Sequence, residues 1–139
     1  MARWLIKSEP ESYAWDSLVH DGRTEWDGVR NNAARLHLRA MKVGDAVLFY
    51  RSVVDPAIVG IARVSRGPGP DPKDPAWVSV EVEPVRPLPA PISLKAIKAE
   101  PALAAMELLR QSRLSVAPVR DAEWGRILAM SEAVAPTRV

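Results

Sequence analysis

Trp4-Leu5-Ile6-Lys7-Ser8-Glu9-Pro10 begins as a short apolar strand, continues with polar side chains and stops at a proline, which cannot donate to a β-ladder. A second stretch, Trp26-Asp27-Gly28-Val29-Arg30-Asn31, also places a tryptophan beside charged and amide side chains. An aromatic face with directional hydrogen-bonding groups suits a flat polar ring such as a nucleobase. We therefore predict that the two stretches meet in space around one ligand.

The segment that follows predicts a helix and then a hairpin. Asn31 can cap a helix that runs through Met41, because its side-chain oxygen can accept from an amide of the first turn. The runs Ala46–Tyr50 and Ile58–Val64 are β-rich and apolar on both faces, as central strands are. A turn at Pro56 joins them, which indicates an antiparallel hairpin.

Proline sets the expected limits of the next strands. The run from Gly67 to Pro75 is predicted to be a loop, since proline at this density removes donors and fixes backbone angles. Trp77 to Val85 alternates like a strand, and Pro87 to Pro91 is expected to end it. Short strands interrupted by helices indicate one mixed, largely antiparallel sheet or barrel, so the fold class is α+β.

Composition limits the classes of protein and of site. The 139 residues fit one domain, which we place at residues 1–132, followed by a flexible tail at residues 133–139. No cysteine occurs, which excludes disulfides, thiolate zinc sites and cysteine nucleophiles. The net charge is +2, from 19 basic and 17 acidic residues, so the chain lacks the strong field of a non-specific duplex binder.

No motif indicates catalysis, a cofactor or a metal ion. The two histidines, His20 and His37, lie in no recognisable nucleophile or metal motif, and no glycine-rich phosphate loop occurs. The chain shows neither a signal pattern nor an apolar run of membrane-spanning length. We expect a soluble cytoplasmic protein without cofactor, metal or membrane partner, and we favour a monomer.

Five blocks in the same order and spacing make the sequence similar to the EVE domain family from Trp4 to about Met130. The blocks are Trp4–Pro10, Thr24–Asn31, Leu38–Asp45, Phe49–Ser52 and Arg110–Val116. The resemblance implies a PUA-like pseudo-barrel of mixed, mostly antiparallel strands surrounded by short helices. It also implies a pocket that binds a modified base, chiefly modified cytosine in DNA, in a bacterial protein with access to the nucleoid.

One residue departs from the family pattern. Many EVE domains carry tyrosine directly after the Arg-Asn pair, whereas this chain has Asn32. An aromatic wall of the pocket is therefore missing or is supplied by another segment.

The resemblance favours a pocket built on the two tryptophan-bearing stretches. Trp26 would stack on the base, and we expect its loss to abolish binding with little effect on the fold. Asp27 would accept from an exocyclic amino group, and Asn31 would offer a donor and an acceptor. Gly28 would let the backbone approach the ligand. Without the resemblance, the same residues would be interpreted as a core tryptophan, a tight turn and a helix cap.

Further side chains complete the predicted pocket. Ser8 and Glu9 would contact base edges, and Lys7, Arg30 and Arg110 would hold phosphates. The remaining candidates are Trp4, Tyr50, Ser52, Gln111 and Arg113.

Several of these assignments have an alternative. Trp4 lies within an apolar strand, so it fits the core as well as the pocket. Tyr50 is assigned to the pocket and Phe49 to the core, although the opposite arrangement has the same sequence support. Lys7 with Glu9 could be a surface ion pair, and Arg110 could compensate charge at a helix end.

Three functions follow from these patterns. The first is a non-catalytic reader of a modified base, with nucleic acid as its partner. The second is an RNA-binding PUA-like module. The third is an enzyme that acts on a small nucleoside-like or anionic metabolite, with Glu9 or Asp27 as general base.

Overall fold

The computed structural model describes residues 2–134, which form six strands and five α-helices. In chain order the elements are β1 (Arg3–Ser8), α1 (Trp15–Asp21), β2 (Thr24–Trp26), α2 (Asn32–Ala40), β3 (Ala46–Arg51), β4 (Ala57–Pro70), β5 (Val78–Ser93), α3 (Leu94–Ala99), a 3₁₀ turn (Pro101–Leu103), α4 (Glu107–Arg110), β6 (Val116–Pro118) and α5 (Asp121–Val134). Within the described residues, no helix is both long and apolar enough to span a bilayer.

The six strands form one mixed sheet in the order β2-β5-β4-β3-β1-β6. The β1–β3 pair is parallel, and every other pair in the sheet is antiparallel. The predicted α+β class is therefore confirmed, as is the antiparallel hairpin of β3 and β4.

Each face of the sheet carries its own hydrophobic cluster. Side chains alternate along β1, so Trp4 and Ile6 enter one cluster while Leu5 enters the other. Trp26, which ends β2, packs against the first cluster. Trp26 and Val29 thus lie on the face of the sheet that buries Trp4 and Ile6.

The prolines from Pro87 to Pro91 do not end the strand, which corrects the sequence prediction. β5 continues to Ser93, and its short partner β2 pairs only with residues 80–82, so the second half of β5 has one free edge. Proline is tolerated at an edge, where no ladder partner needs its missing N–H. Ser131 on α5 accepts from the Ala90 amide (3.0 Å) and donates to the Ala90 carbonyl (2.6 Å), so this helix covers part of that edge.

Two predicted boundaries also change. Residues 67–70 belong to β4, so the predicted loop from Gly67 to Pro75 shortens to the turn at residues 71–77. Ala133 and Val134 belong to α5, whereas the rest of the predicted tail, residues 135–139, lies outside the described residues.

Candidate functional site

A cleft of about 730 Å³ opens between the end of β1 and the segment that joins β2 to α2. This volume lies in the range of about 300–1,000 Å³ that is typical of small-ligand sites. Its walls are residues 7–9, residues 24–31, Ser12, Tyr13, Lys73 and Ser115. The two tryptophan-bearing stretches therefore line one cavity, as the sequence predicts. The first stretch contributes only residues 7–9, whereas the second contributes all of residues 26–31.

The Trp26 indole is the aromatic wall of the cleft and is partly exposed. Its ring meets the Tyr13 ring edge to face at a centroid distance of 6.2 Å and an interplanar angle of 77°. On the other side it meets Phe49 at 5.8 Å and 79°. Trp26 thus belongs to the cleft and packs against the first hydrophobic cluster as well, so we now expect its loss to lower stability in addition to binding. Tyr13 also lines the cleft and supplies a second aromatic group. Asn32, the residue that departs from the family pattern, does not line the cleft.

Asp71 holds the segment that carries Trp26 and Gly28, and no local sequence pattern indicates this role. Its side chain is fully buried, and one carboxylate oxygen accepts from the Gly28 amide at 2.8 Å and from Arg30 Nη1 at 2.9 Å. The other oxygen accepts from the Lys73 amide at 2.7 Å. The turn between β4 and β5 therefore holds the floor of the cleft in place.

These donors keep Asp71 ionised. Burial by itself would raise its pKa, but hydrogen bonds from the Arg30 guanidinium and from the Gly28 and Lys73 amides hold that pKa well below its usual range. Asp71 lies in a run of prolines that sequence reasoning treats as a plain loop. Only the long-range contact with Gly28 and Arg30 shows its role.

Gly28 has a φ of +76°, a backbone conformation that L-residues with a side chain rarely adopt. A Cβ atom added there would meet only Lys73 Nζ within 4 Å, at 3.9 Å, so space is not the constraint. The glycine is required by its backbone angle, and the close approach of a ligand to this position stays a prediction.

We expect Gly28→Ala to lower the free energy of unfolding by about 1–2 kcal/mol, because alanine must adopt the left-handed conformation. Urea denaturation followed by tryptophan fluorescence measures the change. Gly67→Ala is the control, since a Cβ there meets nothing within 4 Å and its φ is not left-handed. Equal stability of the two variants would contradict the assigned conformation.

The end of β1 contributes three side chains to the cleft, which differ in exposure and in hydrogen-bond partners. The Lys7 ammonium donates to the Ser112 carbonyl at 2.8 Å, and burial lowers its pKa. The Ser8 hydroxyl is nearly buried and donates to the Tyr13 carbonyl. Glu9 is exposed at the mouth of the cleft. Lys7 is therefore not paired with Glu9, and of the three side chains Glu9 is the one most open to a ligand.

Asp27 and Asn31 face the cleft from the opposite wall. The Asp27 carboxylate lies 3.6 Å from Lys73 Nζ and is only partly exposed. The Asn31 side-chain oxygen accepts from the Ala34 amide at 3.0 Å, which confirms the predicted cap of α2. Because the helix cap uses the side-chain oxygen of Asn31, its NH₂ group is the part of the side chain that can donate to a ligand.

Arg110, Gln111 and Arg113 line a separate depression of about 370 Å³, which adjoins the cleft through Asn31. Arg110 Nη1 lies 3.6 Å from Glu107 in the same short helix, α4, and Gln111 also donates to Glu107. The structure thus supports the helix-end interpretation of Arg110, and its role toward phosphate stays a prediction.

Trp4, Tyr50 and Ser52 do not line the cleft. The Trp4 indole is buried and donates to Asp45 at 3.0 Å. Tyr50 is buried in the cluster on the other face, whereas Phe49 packs on Trp26, so the predicted orientation of this pair is reversed. The reason is that side chains alternate along β3, and Phe49 shares a face with the segment after β2.

The described residues contain no group of three or more histidine or acidic side chains that could hold a metal ion. Glu25 lines the cleft near Asp27, but it is engaged elsewhere. Its carboxylate lies 3.0 Å from Arg66 and accepts from the Ser79 hydroxyl at 3.0 Å. Glu9 is therefore the acidic side chain most open to a ligand, and Asp27, which has a single partner at 3.6 Å, is less engaged than Glu25.

Comparison with known proteins agrees with the resemblance in the sequence. The sequence model of the EVE domain matches residues 2–130. Thymocyte nuclear protein 1 of Mus musculus is 34% identical over 165 aligned positions, which cover 93% of this chain and 73% of the mouse protein.

Solved structures show the same fold. A crystal structure of an Agrobacterium tumefaciens protein superposes with a TM-score of 0.93 at 39% identity and covers 100% of this chain and 99% of that one. The human THYN1 protein, solved in complex with DNA that contains 5-methylcytosine, superposes with a TM-score of 0.89 at 30% identity and covers 95% and 98%. The predicted PUA-like fold is thereby confirmed.

Proposed function

Since this chain belongs to the EVE domain family, we propose that it is a nucleic-acid-binding reader that holds one modified base, a modified cytosine in DNA, in the cleft. The observation that carries the proposal is the partly exposed Trp26 ring, flanked by acceptors, in a cavity of ligand size. The human THYN1 protein was solved with 5-methylcytosine DNA, which supports the same ligand class for its relative.

The polar groups open to a ligand favour a base with an exocyclic amino group. Glu9 and Asp27 are acceptors, and the Asn31 NH₂ group is a donor. Cytosine presents its N4 amino group as donor and its ring nitrogen and carbonyl as acceptors, which complements this set. Thymine presents a carbonyl in place of that amino group, so it would face a carboxylate without a hydrogen bond.

In this proposal Trp26 stacks on the base, and positively charged side chains line the cleft around it. Lys7, Arg30 and Lys73 line it, and each is already oriented by a protein group: the Ser112 carbonyl, Asp71 and Asp27 respectively. They would hold the phosphates beside the captured nucleotide. A base taken from a duplex must first be flipped at a cost of a few kcal/mol, which its enclosure in the cleft would offset.

The proposal is for binding without catalysis, in the cytoplasm and with access to the nucleoid. A general base would have to be Glu9 or Asp27, and the Asp27 carboxylate lies beside Lys73.

Titration of the protein with matched fluorescent oligonucleotides tests the proposal. The series carries cytosine, 5-methylcytosine, 5-hydroxymethylcytosine or methyladenine at one position, in DNA and in RNA. We expect the tightest binding for a modified cytosine in DNA, with a salt slope set by the phosphates that Lys7, Arg30 and Lys73 contact. Equal affinity across the series with a steep salt dependence would indicate plain backbone binding, and preference for the 2′-hydroxyl series would indicate an RNA-binding module.

A further inference from the structure

A second cavity, of about 580 Å³, lies where the β3–β4 hairpin meets the end of β5 and the start of α3. We call it the cationic pocket, because its charged lining residues are Arg51, Lys95 and Lys98 with a single carboxylate, Asp55. Within residues 2–134, none of the three cations forms an ion pair. The pocket therefore has a surplus of positive charge that the fold itself does not use.

The Arg51 side chain is held at the wall of the cationic pocket. Its Nε and Nη2 atoms donate to the Asp55 carbonyl at 3.0 and 2.8 Å, across the hairpin turn. A guanidinium that is already oriented loses less conformational entropy when it binds an anion. Lys95 and Lys98 lie three residues apart on α3, so they share one face of that helix.

The hairpin turn that positions Arg51 is strained. Val53 has a φ of +71° and Asp55 a φ of +45°. Positive φ is rare for a β-branched residue, and Val53 is 71% exposed, so burial of its side chain does not compensate for the strain. Backbone strain of this kind clusters at ligand clamps, where the surrounding contacts maintain it.

A third cavity, of about 360 Å³, adjoins both the cationic pocket and the cleft. It shares Arg51 and Pro91 with the cationic pocket, and Ser8 and Tyr13 with the cleft. We call this third cavity the apolar trough, because its lining is mostly apolar and includes the Trp15 ring. The three cavities therefore adjoin in succession, from the cleft through the third cavity to the cationic pocket, and we call this succession the path.

We infer that the nucleic-acid strand whose base occupies the cleft continues along this path and places a backbone phosphate in the cationic pocket. This inference rests on the proposed function. The apolar trough offers the neighbouring nucleotide an aromatic surface, and base–aromatic stacking is tolerant of sequence. The cationic pocket then supplies the charge-assisted donors that a phosphate needs. The footprint on the strand is thus longer than the captured nucleotide.

The test compares two probes that carry one modified cytosine: a trinucleotide that fills the cleft, and a 12-nucleotide strand that can also reach the cationic pocket. The variant Lys95→Ala/Lys98→Ala is expected to bind the longer strand roughly three- to tenfold more weakly. Its salt slope should fall by about 1 for each lysine that contacts a phosphate. Affinity for the trinucleotide should stay unchanged.

The control is Arg39→Ala/Lys42→Ala, which removes the same charge from exposed positions that line none of the three cavities. Equal weakening of the longer strand by both variants would overturn the inference in favour of a general field effect. Unchanged binding by Lys95→Ala/Lys98→Ala would overturn it directly.

Amide shifts in two-dimensional NMR separate this inference from the proposed function. With Trp26→Leu, we expect the longer strand still to shift amides at residues 51–55 and 93–98, while those at residues 26–31 respond less than in the wild type. Shifts confined to residues 26–31 of the wild type would overturn the inference and leave base reading intact. Equal shifts with inorganic phosphate alone would overturn the strand path and indicate a simple anion site.

Discussion

Trp26→Leu is expected to weaken the binding of an oligonucleotide with one modified cytosine by about 1–3 kcal/mol, or roughly 5- to 150-fold in Kd. Leucine keeps an apolar group against Phe49 but removes the flat surface on which a base can stack. Fluorescence anisotropy measures the change in Kd. Because the ring also packs against the first hydrophobic cluster, we expect a stability loss of about 1–2 kcal/mol in urea denaturation.

Trp124→Leu separates binding from stability. Trp124 is 8% exposed, packs in the cluster on the opposite face of the sheet and lines no part of the cleft. This variant should lose at least as much stability as Trp26→Leu while it binds the oligonucleotide with wild-type affinity, at a temperature at which both are folded by circular dichroism. If the two variants lost binding equally, Trp26 would have to be interpreted as a core residue alone.

Asp71→Asn is expected to lower the free energy of unfolding by about 2–4 kcal/mol and to weaken oligonucleotide binding with it. The asparagine keeps the shape, but its NH₂ group must face at least one of the donors from Gly28, Arg30 and Lys73. The partly exposed Arg30 can regain water, which keeps the cost below that of a fully buried pair. Urea denaturation measures the first effect and anisotropy the second.

The matched control is Asp74→Asn in the same turn, where the carboxylate is exposed and accepts from the Ala76 amide alone. It should change stability by less than about 1 kcal/mol. A comparable loss of stability in both variants would mean that any carboxylate in this turn stabilises the fold. The specific contacts of Asp71 with Gly28, Arg30 and Lys73 would then not explain its effect.

The pH dependence of stability gives a second check on Asp71. Its folded-state pKa lies below the ordinary value of 3.8, so its contribution is fully present above pH 3.8 and is lost as the pH falls through the folded-state pKa. The stability difference between wild type and Asp71→Asn should therefore be constant from about pH 5 to 7 and shrink below pH 3.8. A difference that grew as the pH fell would contradict the depressed pKa.

Residues that act through near neighbours could be predicted from the sequence. Asn31 caps α2 through an amide three residues away, and β1 follows from a short apolar run. Both stretches that line the cleft were recognisable because each carries its tryptophan and polar groups within a few positions. The resemblance to a family then favoured the cleft over a core tryptophan.

Residues that depend on strand register could not be predicted in this way. β4 and β5 pair through four register shifts, so no local pattern shows that the prolines of β5 lie along a free edge. Asp71 reaches Gly28 and Arg30 only after that pairing forms. The orientation of Phe49 and Tyr50 depends on which face of β3 meets the segment after β2, and that is a tertiary contact.

The position of β1 has a consequence for how the protein is made. β1 lies inside the sheet, paired with β3 on one side and with β6, near the other end of the chain, on the other. Synthesis must therefore pass residue 118 before the sheet is complete, and contacts between distant segments slow this last step. The wall of the cleft at residues 7–9 is the end of this same strand. The cleft also includes Ser115, just before β6, so on a nascent chain its wall is complete only after residue 115 has been added.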